Sequence, residues 1–305
     1  MKRSKVAESA AAQLPIPISH PDKVFWPEQG YTKLDLAEYY HAIFPKLSPY
    51  VKDRMLSLER CPDGMQGKCF FQKQKPRSMP RETPTKRIAH ATNTSKFTDY
   101  VVGGSLDTQL ALANLGCIAV HVMASRARSP RQPDWICIDI DPESGLFADA
   151  ARAGLHVKAA FDTLKLLCFP KTSGSRGMHI LVPIRVGPDA DQVLAFARSF
   201  VARVASAYPH ELTVEHSIAA RHGRVYLDPF RNGFGQTVVA PYSVRRREQA
   251  PISTPLDWSE VKPALVPSDF NLGNFATRFS RADPWSDFFE NRQSLEDAAR
   301  LLNTL

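Results

Sequence analysis

Asp134-Trp135-Ile136-Cys137-Ile138-Asp139-Ile140-Asp141-Pro142 is the stretch from which the rest of the chain can be read. Apolar and β-branched residues run from Trp135 to Ile140 and Pro142 closes the run, the composition of a short buried strand. Side chains alternate along a strand, so Asp139 and Asp141 share one face while Ile138 and Ile140 take the other. Two carboxylates stacked on an apolar strand repel each other and are poorly solvated. A divalent cation relieves both problems, and Mg²⁺ or Mn²⁺ suits an all-oxygen site. Taken alone, the pattern fits equally well a strand end whose aspartates face water, with Asp141-Pro142 opening a turn.

The chain around it has 305 residues, enough for a sizeable core in one large domain or two modest ones. Its 43% hydrophobic content is that of an ordinary globular protein, and 24 prolines imply many loops. No apolar run approaches the length of a membrane span. Residues 1–13 begin basic without a hydrophobic segment and read as a disordered tail rather than a signal peptide. Cys61, Cys69, Cys117, Cys137 and Cys168 show no C-x-x-C spacing, and three lie in apolar runs; reduced core thiols in a cytoplasmic protein are expected. A net charge of +8 favours a polyanionic partner.

Downstream of Asp141, apolar spacing predicts a helix over 146–168, then a loop, Lys171-Thr172-Ser173-Gly174-Ser175-Arg176-Gly177-Met178-His179, and an apolar strand over 180–183. A second helix is expected over 189–207 and a hairpin-like pair over 212–217 and 224–228, the latter ending in Asp228-Pro229. A further strand is expected over 238–245 and a closing helix near 293–303. Upstream, Thr32 reads as the N-cap of a helix to about Lys46, with Lys23 and Lys33 beside it. Lys33 at a helix N-terminus suggests a small phosphate pocket, against the plainer reading of two solvated lysines. A strand over 53–60 leads to Phe70-Phe71 and a basic run containing Lys73; stacking aromatics beside a phosphate track suit single-stranded nucleic acid, though one of the pair is expected to be core. Residues 75–87 read as a long basic loop, 106–116 as a helix, and His121 lies in an apolar strand where a lone histidine is ordinarily structural. Alternating strands and helices argue for an α/β or α+β sheet backed by helices.

Three features converge. Asp139 and Asp141 share a strand face, Asp228 ends another apolar strand, and Ser173-Gly174-Ser175-Arg176-Gly177 is a small-residue loop able to wrap phosphates, although it is not a Walker A motif. Arg231 in Phe230-Arg231-Asn232-Gly233 and Arg245 add cations. Together these make a two-metal phosphoryl-transfer site.

The order D-x-D, S-G-S-R-G-x-H, a strand ending in Asp with R-N-G, then A-P-Y-S-V-R resembles the polymerase domain of bacterial LigD, of the archaeo-eukaryotic primase superfamily, which works in non-homologous end joining. The likeness runs from Asp22-Lys23-Val24 through Arg60-Cys61-Pro62-Asp63-Gly64 to Thr254-Pro255-Leu256-Asp257-Trp258. It implies an α+β fold, an RRM-like catalytic sheet packed against an N-terminal α/β subdomain. The expected divisions are 14–114 for DNA 5′-phosphate and template contacts, 115–270 for catalysis and 271–305 for a C-terminal helical segment. It implies that Asp139, Asp141 and Asp228 hold two Mn²⁺ or Mg²⁺ ions, and that Ser173, Gly174, Ser175, Arg176, His179, Arg231 and Arg245 bind the nucleotide. His121 and Ser173 would lie near the ribose hydroxyls, consistent with a preference for NTPs over dNTPs. Phe70, Phe71, Arg60 and Lys73 would meet DNA, and Lys23 and Lys33 the 5′-phosphate across a gap. Ku and a DNA ligase are the candidate protein partners, in the bacterial cytoplasm at the nucleoid.

Two departures stand out: Arg176 where relatives commonly carry Lys, and Glu59 where some carry a second basic residue beside Arg60. No K-x-D-G ligase signature and no His-rich phosphoesterase region occur; the chain is expected to be either a polymerase domain of a larger protein or a freestanding homologue, its two ends leaning towards the second. The competing readings are a metal-dependent nuclease using the same carboxylates and a non-catalytic module that bridges DNA ends.

Overall fold

The computed structural model describes residues 14–89 and 95–304; the tail expected at 1–13 lies outside them. In chain order, β1 (Val24–Trp26) and β2 (Tyr31–Thr32) precede α1 (Lys33–Val51), β3 (Arg54–Arg60), β4 (Phe70–Gln72), β5 (Thr85–Ala89), β6 (Phe97–Val101), α2 (Leu106–Asn114) and β7 (Cys117–Arg126). Then come β8 (Trp135–Pro142), α3 (Phe147–Thr163), β9 (Phe169–Thr172), β10 (Met178–Pro183), α4 (Ala190–Ala207) and β11 (Leu212–Thr213). The chain finishes with α5 (Ile218–Arg221), β12 (Val225–Asp228), β13 (Val238–Val239), α6 (Phe275–Phe279) and α7 (Leu295–Thr304).

Two larger sheets carry the architecture: a five-stranded one in the order β11-β12-β8-β10-β9 and a four-stranded one in the order β13-β7-β3-β4. The opening stretch is the central strand of the first. Its alternation separates two cores. Ile136, Ile138 and Ile140 pack with Val157 and Phe161 of α3 and Phe196 and Phe200 of α4. Trp135 and Cys137 point the other way, into a core shared with Leu36 and Tyr40 of α1, Leu58 of β3 and Val120 of β7. Each such side chain contributes about 1.5–3 kcal/mol by leaving water, which commits β8 to one register and one facing. Where the apolar residues of the second face run out, Asp139 and Asp141 continue it. The result is an α+β fold with helices behind the five-stranded sheet and the four-stranded sheet before it.

Local signals set several boundaries. Thr32 and Asp35 form a reciprocal capping box at the start of α1, and Asp189 and Gln192 do the same for α4. At the junction of the two sheets, the carboxylate of Asp134 accepts from Arg54 of β3 and, at 2.7 Å, from Arg126 of β7. Arg54 also lies flat on Trp135, with its guanidinium carbon 3.5 Å from the ring centroid.

Several expectations are corrected. α1 passes Lys46 and runs to Val51 through Pro45 and Pro49, since burial of Leu47, Tyr50 and Val51 outweighs the lost backbone bonds. Residues 212–217 and 224–228 make no hairpin: β11 and β12 run parallel, with α5 in their connection. The strand over 238–245 is only Val238–Val239, because Tyr242 takes a left-handed backbone (φ 65°) that breaks it. The basic stretch over 75–87 ends in β5, paired with β6. Cys61 and Cys69 form a disulfide instead of remaining reduced, whereas Cys117, Cys137 and Cys168 are free and buried as expected. The antiparallel pairing of β3 with β4 turns the chain back and brings the two sulfurs together, a tertiary fact that cysteine spacing did not reveal.

Candidate active site

Sheet register builds the centre of the site. Lys171 of β9 lies opposite His179 of β10, His179 opposite Asp139 of β8, and Asp139 opposite Asp228 of β12. Residues directly opposed on neighbouring strands project to the same face, so four side chains stand in one transverse row. Lys171 Nζ is 2.8 Å from His179 Nδ1, and His179 Nε2 is 3.3 Å from Asp139 Oδ1. At the other end, Arg231 Nε lies 3.1 Å from Asp139 Oδ2 and 3.4 Å from Asp228 Oδ2. Asp141 is two residues further along the same face, exposed, with Arg221 Nη1 3.0 Å from its carboxylate.

The turn after β12 is pinned by Asn232. Its side chain accepts from Cys137 N at 2.8 Å and donates to Cys137 O at 2.7 Å, so the Phe230–Asn232 turn is tied to the middle of β8. Asp228 Oδ1 in turn accepts from Phe230 N at 2.7 Å. These bonds present Arg231 to the two carboxylates.

Charge within the row is uneven. Burial would raise Asp139, but His179 and Arg231 outweigh it and hold the carboxyl well below the usual range. Asp228 is pushed up, by burial and by the Asp139 charge beside it. Burial lowers His179 to about 4, with Lys171 adding to the effect, and lowers Lys171 itself to about 7.

The loop between β9 and β10 closes over this row. Ser173 N donates to Gly177 O at 2.9 Å, Ser175 N to Ser173 Oγ at 3.2 Å, and Arg245 Nη1 to Ser173 O at 2.9 Å. Gly174 has φ +69°, and a Cβ there would stand 2.6 Å from Arg245 Cγ and 3.0 Å from Ser253 N, so only glycine lets the loop lie this close. Arg176 is exposed at the loop tip.

From the second sheet, His121 of β7 completes a cleft of about 460 Å³ lined also by Phe71, Asp139, Ser173, His179 and Arg245. Its Nε2 is buried without a hydrogen-bond partner, and its ring meets Phe71 edge-on with centroids 5.3 Å apart. Burial, with Arg245 adding to it, lowers the imidazole well below its ordinary value. Phe70 and Phe71 are 39% and 61% exposed, so neither is core, and only Phe71 lines the cleft. Arg60 covers Phe70 with its guanidinium carbon 5.5 Å from the ring centroid and donates to Leu115 O and Gln72 Oε1. Lys73 Nζ is 3.3 Å from Gly235 O. Glu59 is buried and bonded to Arg246 at 2.8 Å, so its charge is used internally.

Lys23 and Lys33 are not among the cleft residues. Lys23 pairs with Asp63 at 2.6 Å, and Lys33 donates to Ser19 O at 2.6 Å and Ser19 Oγ at 3.0 Å. Burial and the nearby Lys23 lower Lys33, the mark of two ammonium groups held together. Lys171, Asn232 and Arg221 were not singled out by sequence reasoning. The first two sit inside motifs that were quoted, whereas Arg221 carried no signal.

The donor set suits a hard divalent ion: oxygen atoms of Asp139, Asp141 and Asp228, two of them already bridged by the guanidinium of Arg231. Among the described residues, no group of three or more His, Cys, Asp or Glu is drawn tightly enough to form a metal cluster as it stands.

Carboxylates on an α+β sheet, facing a small-residue loop across a cleft that Arg231 and Arg245 also line, fit the class of nucleotidyltransferase-type polymerases. The family follows: the chain belongs to the LigD primase-polymerase domain family, whose model matches residues 32–285. It is 29% identical over 293 residues to the bifunctional non-homologous end joining protein LigD of Bacillus subtilis, covering 93% of this chain and 46% of that protein. It is 29% identical over 310 residues to the multifunctional LigD of Pseudomonas aeruginosa, covering 98% of this chain and 36% of the other. The chain thus spans less than half the length of these relatives. The polymerase domain of Mycobacterium tuberculosis ligase D, solved in complex with DNA, matches with a TM-score of 0.84 and 25% identity over 92% of this chain and all of that one.

Proposed function

We propose that this protein is a template-dependent polymerase that fills short gaps at double-strand breaks during non-homologous end joining, with a preference for ribonucleotides. The observation that carries the reading is the register that sets Asp139 beside Asp228, in front of the Ser173–Gly177 loop. In this reading Asp139, Asp141 and Asp228 hold two divalent ions, Mn²⁺ or Mg²⁺. Bound there, the ions supply activation of the primer 3′-hydroxyl and stabilisation of the leaving pyrophosphate.

The remaining work falls to the chain's own groups. Ser173, Ser175 and the loop backbone hold the triphosphate, with Gly174 permitting the close approach; Arg176, Arg245 and Arg231 balance its charge, and His179 donates to it. His121, unpartnered at Nε2, meets the ribose hydroxyls, which favours NTPs. Phe71 stacks on the templating base, with Phe70, Arg60 and Lys73 along the DNA. Lys23 and Lys33, on the 14–114 part, bind the downstream 5′-phosphate. Residues 115–270 carry the chemistry, and 271–305 supply the helical close. Ku and a DNA ligase are the proposed protein partners.

The test is extension of a labelled primer across a short gap carrying a downstream 5′-phosphate, with Mn²⁺ and either NTPs or dNTPs, beside the Asp139→Ala protein. Templated addition that is stronger with NTPs, weaker without the 5′-phosphate and absent in Asp139→Ala supports the reading. A shortened primer would indicate a nuclease. An unextended primer that is nonetheless retarded on a gel would leave a DNA-end-binding module.

A further inference from the structure

Lys171 poses a problem that the function above does not use. Its side chain is fully buried, in the middle of β9. Taking an ammonium out of water costs several kcal/mol, and an apolar side chain of the same length would fill the space without that cost. Among the described residues no salt bridge offsets it: the polar partners of Lys171 Nζ there are His179 Nδ1 at 2.8 Å and Ser253 Oγ at 2.5 Å.

Proton accounting gives those contacts a direction. The hydroxyl of Ser253 donates its one proton to Thr172 O at 2.9 Å, so it receives from Lys171. The ammonium has no lone pair, so it also donates to His179 Nδ1, which must be bare. On the opposite side of the ring, Nε2 faces the carboxylate of Asp139 at 3.3 Å. The other tautomer would aim a lone pair at that carboxylate. Both neighbours therefore require the same ring: bare at Nδ1, protonated at Nε2.

We propose that Lys171 is a positioning residue for nucleotide binding, fixing the orientation and tautomer of His179 so that Nε2–H is directed toward Asp139 and the triphosphate. The triphosphate half rests on the polymerase reading; the ring half does not. Lys171 acts through His179 alone. It touches neither carboxylate and does not line the cleft that His179 lines. Because β9, β10 and β8 are in fixed antiparallel register, the Lys171, His179 and Asp139 row is held by backbone pairing rather than by the loop, and so stands ready before a nucleotide arrives. A residue that orients a ligand-binding histidine is worth roughly 10–100-fold in affinity or activity where comparable supporting bonds have been removed.

The experiment uses ¹⁵N-histidine-labelled full-length protein, with the His179 signals assigned by their loss in His179→Gln. The wild-type ring is expected to show a bare, hydrogen-bonded Nδ1 and a protonated Nε2. Lys171→Met is expected to lose that pattern and to raise the KM for NTP roughly 10–100-fold while kcat changes little. Lys171→Arg, which keeps the donors, is expected to restore the ring pattern and most of the KM. A wild-type ring protonated on Nδ1 would overturn the proposal without any variant having to fold. So would a folded Lys171→Met protein with an unchanged ring, or with a changed ring and the wild-type KM. If the wild type extends no primer, the polymerase reading fails, while the ring measurement still decides whether Lys171 orients His179.

Discussion

The junction between the two sheets rests on one carboxylate, and replacing Asp134 with Asn tests it. Asp134 is 1% exposed and is shared between Arg54, itself fully buried, and Arg126. Asparagine keeps the shape but leaves both guanidinium groups without a counter-ion. Removing one partner of a buried charge network costs about 3–5 kcal/mol, because the charges left behind remain desolvated. At about 2 °C per kcal/mol for a chain of this size, Tm should fall by about 6–10 °C. The pH dependence carries its own sign. Burial would raise the Asp134 carboxyl, but Arg54 and Arg126 outweigh it, so its folded pKa lies below the unfolded value of about 3.9. Its contribution is therefore complete above that unfolded value and fades as pH falls through the folded one. The Tm gap between wild type and Asp134→Asn should be constant above about pH 5 and shrink below about pH 4. Thermal unfolding by circular dichroism across that range is the assay. A loss under about 2 °C at neutral pH would refute the claim that this triad holds the sheets together.

Gly177→Ala should cost about 1–3 kcal/mol in Tm measurements, since a Cβ there would stand 2.1 Å from the Ile140 carbonyl oxygen and push the loop off β8. Phe71→Ala should leave stability within about 0.5 kcal/mol because the ring is 61% exposed, yet weaken gapped-DNA binding by about 1–3 kcal/mol in a fluorescence titration, the worth of one stacked base. In the same titration, Lys33→Ala should lose about 1.5–3 kcal/mol against 5′-phosphorylated gaps and almost nothing against 5′-hydroxyl gaps, as expected for one charge-assisted hydrogen bond.

The legible part of this protein was local. Alternation along 135–140 located β8 and the shared face of Asp139 and Asp141, which the structure shows as two cores divided by one strand. Capping chemistry located the start of α1. Motif order was enough to name the family. The errors came where local pattern and long-range contact compete: Tyr242 broke a strand that composition favoured, and two prolines failed to end α1 because its last turn is buried. The pairing of Cys61 with Cys69 followed from the return of β4 along β3, not from spacing.

From the sequence alone came β3, β7, β8, β10 and β12, the acidic pair and the glycine loop, because each depends on residues within a few positions of one another. Only the tertiary structure decided which strands are neighbours and in what register. Register is what sets Lys171, His179, Asp139 and Asp228 in one row. It also brings β12 antiparallel to β8 although more than eighty residues separate the two aspartates, and it lets His121 and Phe71 face the row from the other sheet. Backbone hydrogen bonds between strands are nearly indifferent to side-chain identity. The choice among pairings is made by burial summed over the whole core, which no single stretch of sequence contains.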